Sequence, residues 1–305
     1  MFPNRVLRLV LPIVAVIGFK FTGSARAVDF FAVGGTYIYK FDVDTGARTT
    51  LVNQTGANFW GAAADNNGNV FATNYSNSTV VGVTSAGGSI SGYSQISNPG
   101  WSNIGIAFNP VNSTLAVAQY VGGGNANIYS LAGGTATSTT SFTLPGNTQG
   151  LGYDASGNLY AAQNSGDNVS KNGTTLFSYA SNPESLYVSG NSIYVAGSNK
   201  VRKYDLSGNV DTSFGSSGEL IQSGAFGVVA YNGYLFVSGG TSINKYNAST
   251  GALITSGWGS SIAGQFKSLA MFDTTPVPEP STYALTAIAS GMMAAVARRR
   301  KARLG

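Results

Sequence analysis

Few residues in this 305-residue chain could do acid–base or ligand chemistry. It contains no histidine and no cysteine. The commonest general base, the commonest metal ligand, thiol nucleophiles and soft-metal sites are therefore missing. What remains is 12 carboxylates and 17 lysines and arginines. A hard cation needs several converging oxygens, and Glu184 with Gln149 and Asn103 is the one set that merits a test. Asp42-Val-Asp44-Thr-Gly46 resembles a calcium loop but lacks its remaining acids, and reads as a hairpin turn. Gly122-Gly-Gly124 and Gly34-Gly35 are not phosphate loops, because no helix pattern or lysine follows them. No catalytic residue, metal or cofactor is assigned.

The elements that must position these groups come from a repeat. A small apolar strand, a turn with Gly or Asn, an aliphatic-aromatic strand, a second turn and a third strand recur along the chain. Gly61-Ala-Ala-Ala-Asp65-Asn-Asn-Gly68-Asn69-Val70-Phe71 and Gly150-Leu-Gly-Tyr-Asp154-Ala-Ser-Gly157-Asn158-Leu159-Tyr160 are the clearest copies. Looser ones are Ile106–Ala118, Ser185–Gly197 and Val228–Gly239. Asp65 and Asp154 occupy equivalent places and are expected to cap turns. Central strands begin near Phe30, Val70, Leu115, Leu159, Ile193 and Leu235. Their spacing of roughly 34 to 45 residues is the blade length of a β-propeller. Phe30-Phe-Ala-Val-Gly opens on a second-strand pattern, and Ser268–Asp273 closes on a first-strand pattern. Together they make one blade from both chain ends, which removes exposed sheet edges. The expected fold is all-β: a six-bladed β-propeller over residues 28–273, favoured over a β-helix or sandwich. It is flanked by a signal peptide and a C-terminal hydrophobic helix. The residue before each first strand should face the central channel. To within one position this gives Trp60, Ile104, Gln149, Glu184, Phe226 and Lys267, with Asn103 adjacent.

The two ends read as addresses. Arg5 and Arg8, the apolar run Leu9–Phe19 and the small-x-small site Ala25-Arg26-Ala27 predict a signal peptide over residues 1–27. Pro12 argues against a buried helix there. Four basic residues lie in that region and five in the last eight positions. Between them, eight basic residues face all 12 acidic ones, a net charge of −4 in a chain whose total is +5. The body is mildly acidic, with Lys200-Val-Arg202-Lys203 as its one basic cluster, so no nucleic-acid partner is expected. Charged residues make up only 10% of the chain and glycine counts 41, about twice its usual share.

The D-x-x-G-N-[V/L]-[F/Y] signature resembles the blades of NHL-type six-bladed propellers, which implies a fold and no activity. Val277-Pro278-Glu279-Pro280-Ser281-Thr282, the apolar run Tyr283–Ala297 and Arg298-Arg299-Arg300 resemble the PEP-CTERM sorting signal, over residues 274–305. That resemblance implies export from a Gram-negative bacterium through the general secretion machinery, and a transient stay at the inner membrane. Recognition by an exosortase and delivery to the cell surface or an exopolysaccharide matrix would follow. Some ice-binding proteins carry the same C-terminal domain. As a helix, Tyr283–Ala297 would span about 22 Å against a hydrocarbon core of about 30 Å, which suits transient retention. The body is expected to be a non-catalytic binder of carbohydrate or a surface protein. The alternative is a metal-dependent hydrolase or lyase using the channel.

Overall fold

In the computed structural model, the described residues are 28–272 apart from 94, 98–101, 121–123, 132–136, 180, 181, 260 and 263. The predicted signal peptide with Ala25 and Ala27, the last expected propeller residue Asp273 and the sorting segment 274–305 lie outside them. Six four-stranded antiparallel sheets form the blades of a propeller. The innermost strands are Phe59–Ala64, Asn103–Asn109, Thr148–Tyr153, Ser185–Ser189 and Ala225–Tyr231 in blades 2 to 6. Blade 1 is the shared one. Ser268–Phe272 is its innermost strand and pairs with Asp29–Gly34, with Asp29 opposite Phe272 and Val33 opposite Ser268.

Second strands carry the fold because neighbouring blades cover both their faces. Asp29–Gly34, Val70–Asn74, Thr114–Gln119 and Leu159–Gln163 are buried along their whole length. A strand covered on both faces reads as a continuous apolar run rather than an alternating one. Outer strands show the opposite: Arg48–Asn53 is largely exposed, and Leu253–Gly259 is exposed over its first five residues. Their tight turns need backbone that few side chains tolerate. At Asn172-Gly173 φ is +49° and +83°, positive at both central positions as this hairpin turn demands.

Six apolar clusters fill the six seams between blades, and they differ in composition. The seam of blades 3 and 4 is rich in alanine, with Ala107, Ala116, Ala118, Ala126 and Ala161. The seam of blades 6 and 1, where the chain closes on itself, is aromatic. Phe30 stands 5.7 Å from Phe41, 5.2 Å from Phe236 and 5.2 Å from Trp258, ring centre to ring centre.

Asp65 and Asp154 do cap turns. Asp65 Oδ1 accepts from the backbone N–H groups of Asn67 and Asn69, and its Oδ2 accepts from Asn69 Nδ2. Asp154 makes the same three bonds with Ser156 and Asn158. Burial works against its ionised form, yet these bonds hold its carboxyl below the usual range. Asp42 Oδ1 accepts from the N–H groups of Asp44 and Thr45 and from the Thr45 hydroxyl, a hairpin turn as expected.

Phe30→Ala is expected to cost about 3–5 kcal/mol in urea unfolding, because it opens a cavity in the closing seam. Leu253→Ala, on an exposed outer strand, should change stability by no more than about 0.5 kcal/mol.

Candidate functional site

A cavity of about 440 Å³ follows the innermost strands along the propeller axis. Why the side chains at its mouth point inward is a matter of backbone irregularity. In blades 2, 3, 4 and 6 the pairing of first and second strands slips by one residue, between Phe59 and Ala62, Asn103 and Ile106, Thr148 and Gly150, and Ala225 and Val228. Each slip is a β-bulge, which re-aims the side chains it contains. Trp60, Ile104, Gln149 and Phe226 sit in these bulges, and all four line the cavity. Glu184 and Lys267 precede their strands by one residue and line it too.

The six positions also share a sequence mark. The following residue is Gly61, Gly105, Gly150, Ser185, Gly227 or Ser268. The next blade's inner strand leaves no room there. A Cβ on Gly61 would stand 2.1 Å from the Ile104 carbonyl oxygen, and one on Gly150 2.7 Å from Ser185 Cα. Narrowness at the axis thus selects a small residue beside each inward-facing one.

The mouth is chemically mixed. Lys267 Nζ lies 4.3 Å from the ring centre of Trp60 and 4.3 Å from that of Phe226, and donates to Gln265 Oε1 at 2.7 Å. Two aromatic faces stabilise the ammonium, although burial lowers its pKa and Glu184 acts in the other direction. Burial raises the Glu184 carboxyl to about 7, and Lys267 partly offsets that rise. Trp60 Nε1 is buried and has no hydrogen-bond partner among the described residues. Below the mouth the shaft is largely apolar, lined by Ala62, Ile106, Leu151, Leu186 and Leu269 among others.

Asn103 does not join this ring. It is fully buried, its Nδ2 donates to the Ser78 carbonyl at 2.8 Å, and its neighbour Ile104 lines the cavity instead. The oxygen set Glu184–Gln149–Asn103 is therefore reduced to two members. Asp65 and Asp154 line the other end of the cavity, where their carboxylates cap turns. Among the described residues no three acidic side chains gather. The basic cluster is tied up in ion pairs: Lys200 and Arg202 share Glu219, and Lys203 pairs with Asp211. The ring was legible from the repeat, but the clasp of Lys267 by Trp60 and Phe226 was not, since these residues are far apart in the sequence and meet only where the ring closes.

The raised pKa of Glu184 has a stability consequence. Folding holds its proton more tightly than the unfolded chain does, so its cost is absent below the unfolded value of about 4.5. It grows as pH rises and is complete above about 7. Glu184→Gln should therefore be more stable than the parent above that window, by on the order of 1–2 kcal/mol after solvent screening. Urea unfolding of both chains should show this gap closing as pH falls. A gap independent of pH would contradict the buried carboxyl.

The fold has known counterparts. It resembles a protein of unknown function from Bacteroides caccae at 12% identity and a TM-score of 0.62, over 81% of this chain and 99% of that one. It also resembles a chain of a nidogen/laminin complex, at 14% identity and a TM-score of 0.64 over the same shares. Such identities show architecture alone. No curated protein matches the sequence. Residues 276–301 match the PEP-CTERM protein-sorting motif. The chain is a six-bladed all-β propeller that carries a PEP-CTERM sorting motif after its closing strand.

Proposed function

We propose that this is a non-catalytic propeller of the cell surface or exopolysaccharide matrix that binds neutral carbohydrate at the mouth of its channel. The sorting motif implies exosortase processing and an extracellular destination. In this reading the general secretion machinery reads residues 1–27 in a Gram-negative bacterium, and Tyr283–Ala297 holds the inner membrane only in transit.

One observation carries the ligand class: the mouth sets the rings of Trp60 and Phe226 beside an amide, a carboxyl and an ammonium group. Sugars offer an apolar C–H face to an aromatic plane and hydroxyls to polar groups at its rim, the arrangement of a small-molecule site. A protein partner is the neighbouring option. The nidogen/laminin complex contains a chain of this architecture, though fold alone assigns no partner.

Glu184, held near neutrality, favours one competing reading, an acid–base hydrolase or lyase assisted by a metal. A single experiment separates the two. The secreted protein is screened on a glycan array, and hits are titrated calorimetrically with and without calcium. Trp60→Ala is expected to weaken binding by about tenfold or more, about 1.4 kcal/mol. The glycan should be recovered at unchanged mass. Cleavage that disappears in Glu184→Gln would establish the enzyme instead.

A further inference from the structure

The channel changes character just below its mouth. The first level past the ring is formed by Ala62, Ile106, Leu151, Leu186 and Leu269. They stand across the sheet from Ala72, Val117, Ala161, Val195 and Ala32, which places them at one height. The second level is Ala64, Phe108, Tyr153, Val188 and Met271, opposite Val70, Leu115, Leu159, Ile193 and Phe30. Across both levels the only side chain able to hydrogen-bond is Tyr153. Polar groups return at the far rim, with Asp65, Asn66 and Asp154.

These side chains border a hollow rather than a filled core. The first level keeps 4–7% exposure, whereas its second-strand partners keep none. The second level is half-buried. From Gln149 to Tyr153 the shaft runs four residues, about 13 Å, and the cavity of about 440 Å³ has the size of a small-molecule site. Free backbone groups of the innermost edges also face the hollow and give water partners there. Yet the side chains of the two levels offer almost nothing to orient a polar ligand. Burial pushes the Tyr153 phenol up to about 12, in keeping with a poorly hydrated wall.

A sugar alone would occupy the mouth and leave the shaft unfilled. The mouth sets one ammonium, Lys267, against one carboxyl, Glu184, which suits an uncharged head group. We infer that the ligand is a glycoside with an apolar aglycone: its sugar rests at the Trp60–Phe226–Lys267 mouth, and its alkyl or aryl group enters the shaft past Leu151 and Leu186. The head group rests on the carbohydrate reading proposed above; the apolar half rests on the two levels alone. Each methylene that leaves water for the shaft strengthens binding by up to about fourfold, so the aglycone outweighs the sugar in affinity.

Octyl β-D-glucopyranoside, kept below its micelle concentration, is compared with methyl β-D-glucopyranoside and with 1-octanol. Calorimetric titration of the secreted protein is expected to show one site, at which the octyl glycoside binds about a hundredfold more tightly than the methyl one. This titration needs no variant. Position is read by cysteine protection, since the chain has no cysteine of its own. Ala62→Cys changes one small side chain in the first apolar level. Ser207→Cys is an exposed reference in the turn after the third strand of blade 5. The octyl glycoside should slow the reaction of Ala62→Cys with a small methanethiosulfonate several-fold and leave Ser207→Cys unchanged, while the methyl glycoside protects neither. An Ala62→Cys thiol that fails to react without ligand, or that the octyl glycoside fails to protect, would overturn the inference. Glycan binding without that protection would keep the sugar at the mouth and remove only its extension into the shaft. Equal affinity and protection by 1-octanol would do the reverse, leaving an apolar site and removing the carbohydrate head.

Discussion

Everything in this molecule depends on the pairing of Ser268–Phe272 with Asp29–Gly34. The ring closes there through backbone hydrogen bonds and side-chain contact alone, because the chain has no cysteine with which to staple it. Non-local closure brings its loop entropy in one step, and the seam that receives it is correspondingly dense in rings. Phe30, Phe41, Phe236, Trp258 and Phe266 meet where the two ends of the chain join. Alanines suffice at the seam of blades 3 and 4, whose strands are close in sequence. Register matters as much as attachment. A slip of one residue would turn every side chain of the closing strand to the opposite face, and Lys267 would leave the mouth.

Much of this was legible in the sequence, for identifiable reasons. Second strands are buried enough to print a pattern, and Val70–Asn74 and Leu159–Gln163 begin where expected. The half-blades at the two ends predicted the closure. Outer strands were faint because solvent imposes no pattern on them; Ile96–Ser97 and Glu219–Ile221 are only two and three residues long. The D-x-x-G-N signature turned out to report turn chemistry rather than a place in the blade. Asp205-Leu-Ser-Gly208-Asn209 makes the same three bonds, but after a third strand instead of a first.

At the site the boundary of legibility was one residue wide. Spacing located the ring, but a bulge decides whether Asn103 or Ile104 reaches the axis, and repeat length cannot register a bulge. A local signal does exist. The small residue that follows each of the six inward-facing positions is the imprint of the neighbouring inner strand, and it selects Ile104-Gly105 over Asn103-Ile104. What no pattern could show is the meeting of Lys267 with Trp60 and Phe226. Only closure of the ring brings blade 1 against both blade 2 and blade 6. The lysine that completes the mouth is supplied by the last stretch of the body before the sorting motif, so an incompletely closed chain would also lack a finished site.

Native-state hydrogen exchange tests the central claim, that the shared blade is a full structural member of the ring. Amides of Asp29–Gly34 and Ser268–Phe272 should exchange as slowly as those of Thr114–Gln119 in blade 3, by global unfolding and with the same dependence on denaturant. Fast exchange confined to the two closing strands, insensitive to denaturant, would show that the ring opens locally and would contradict the account.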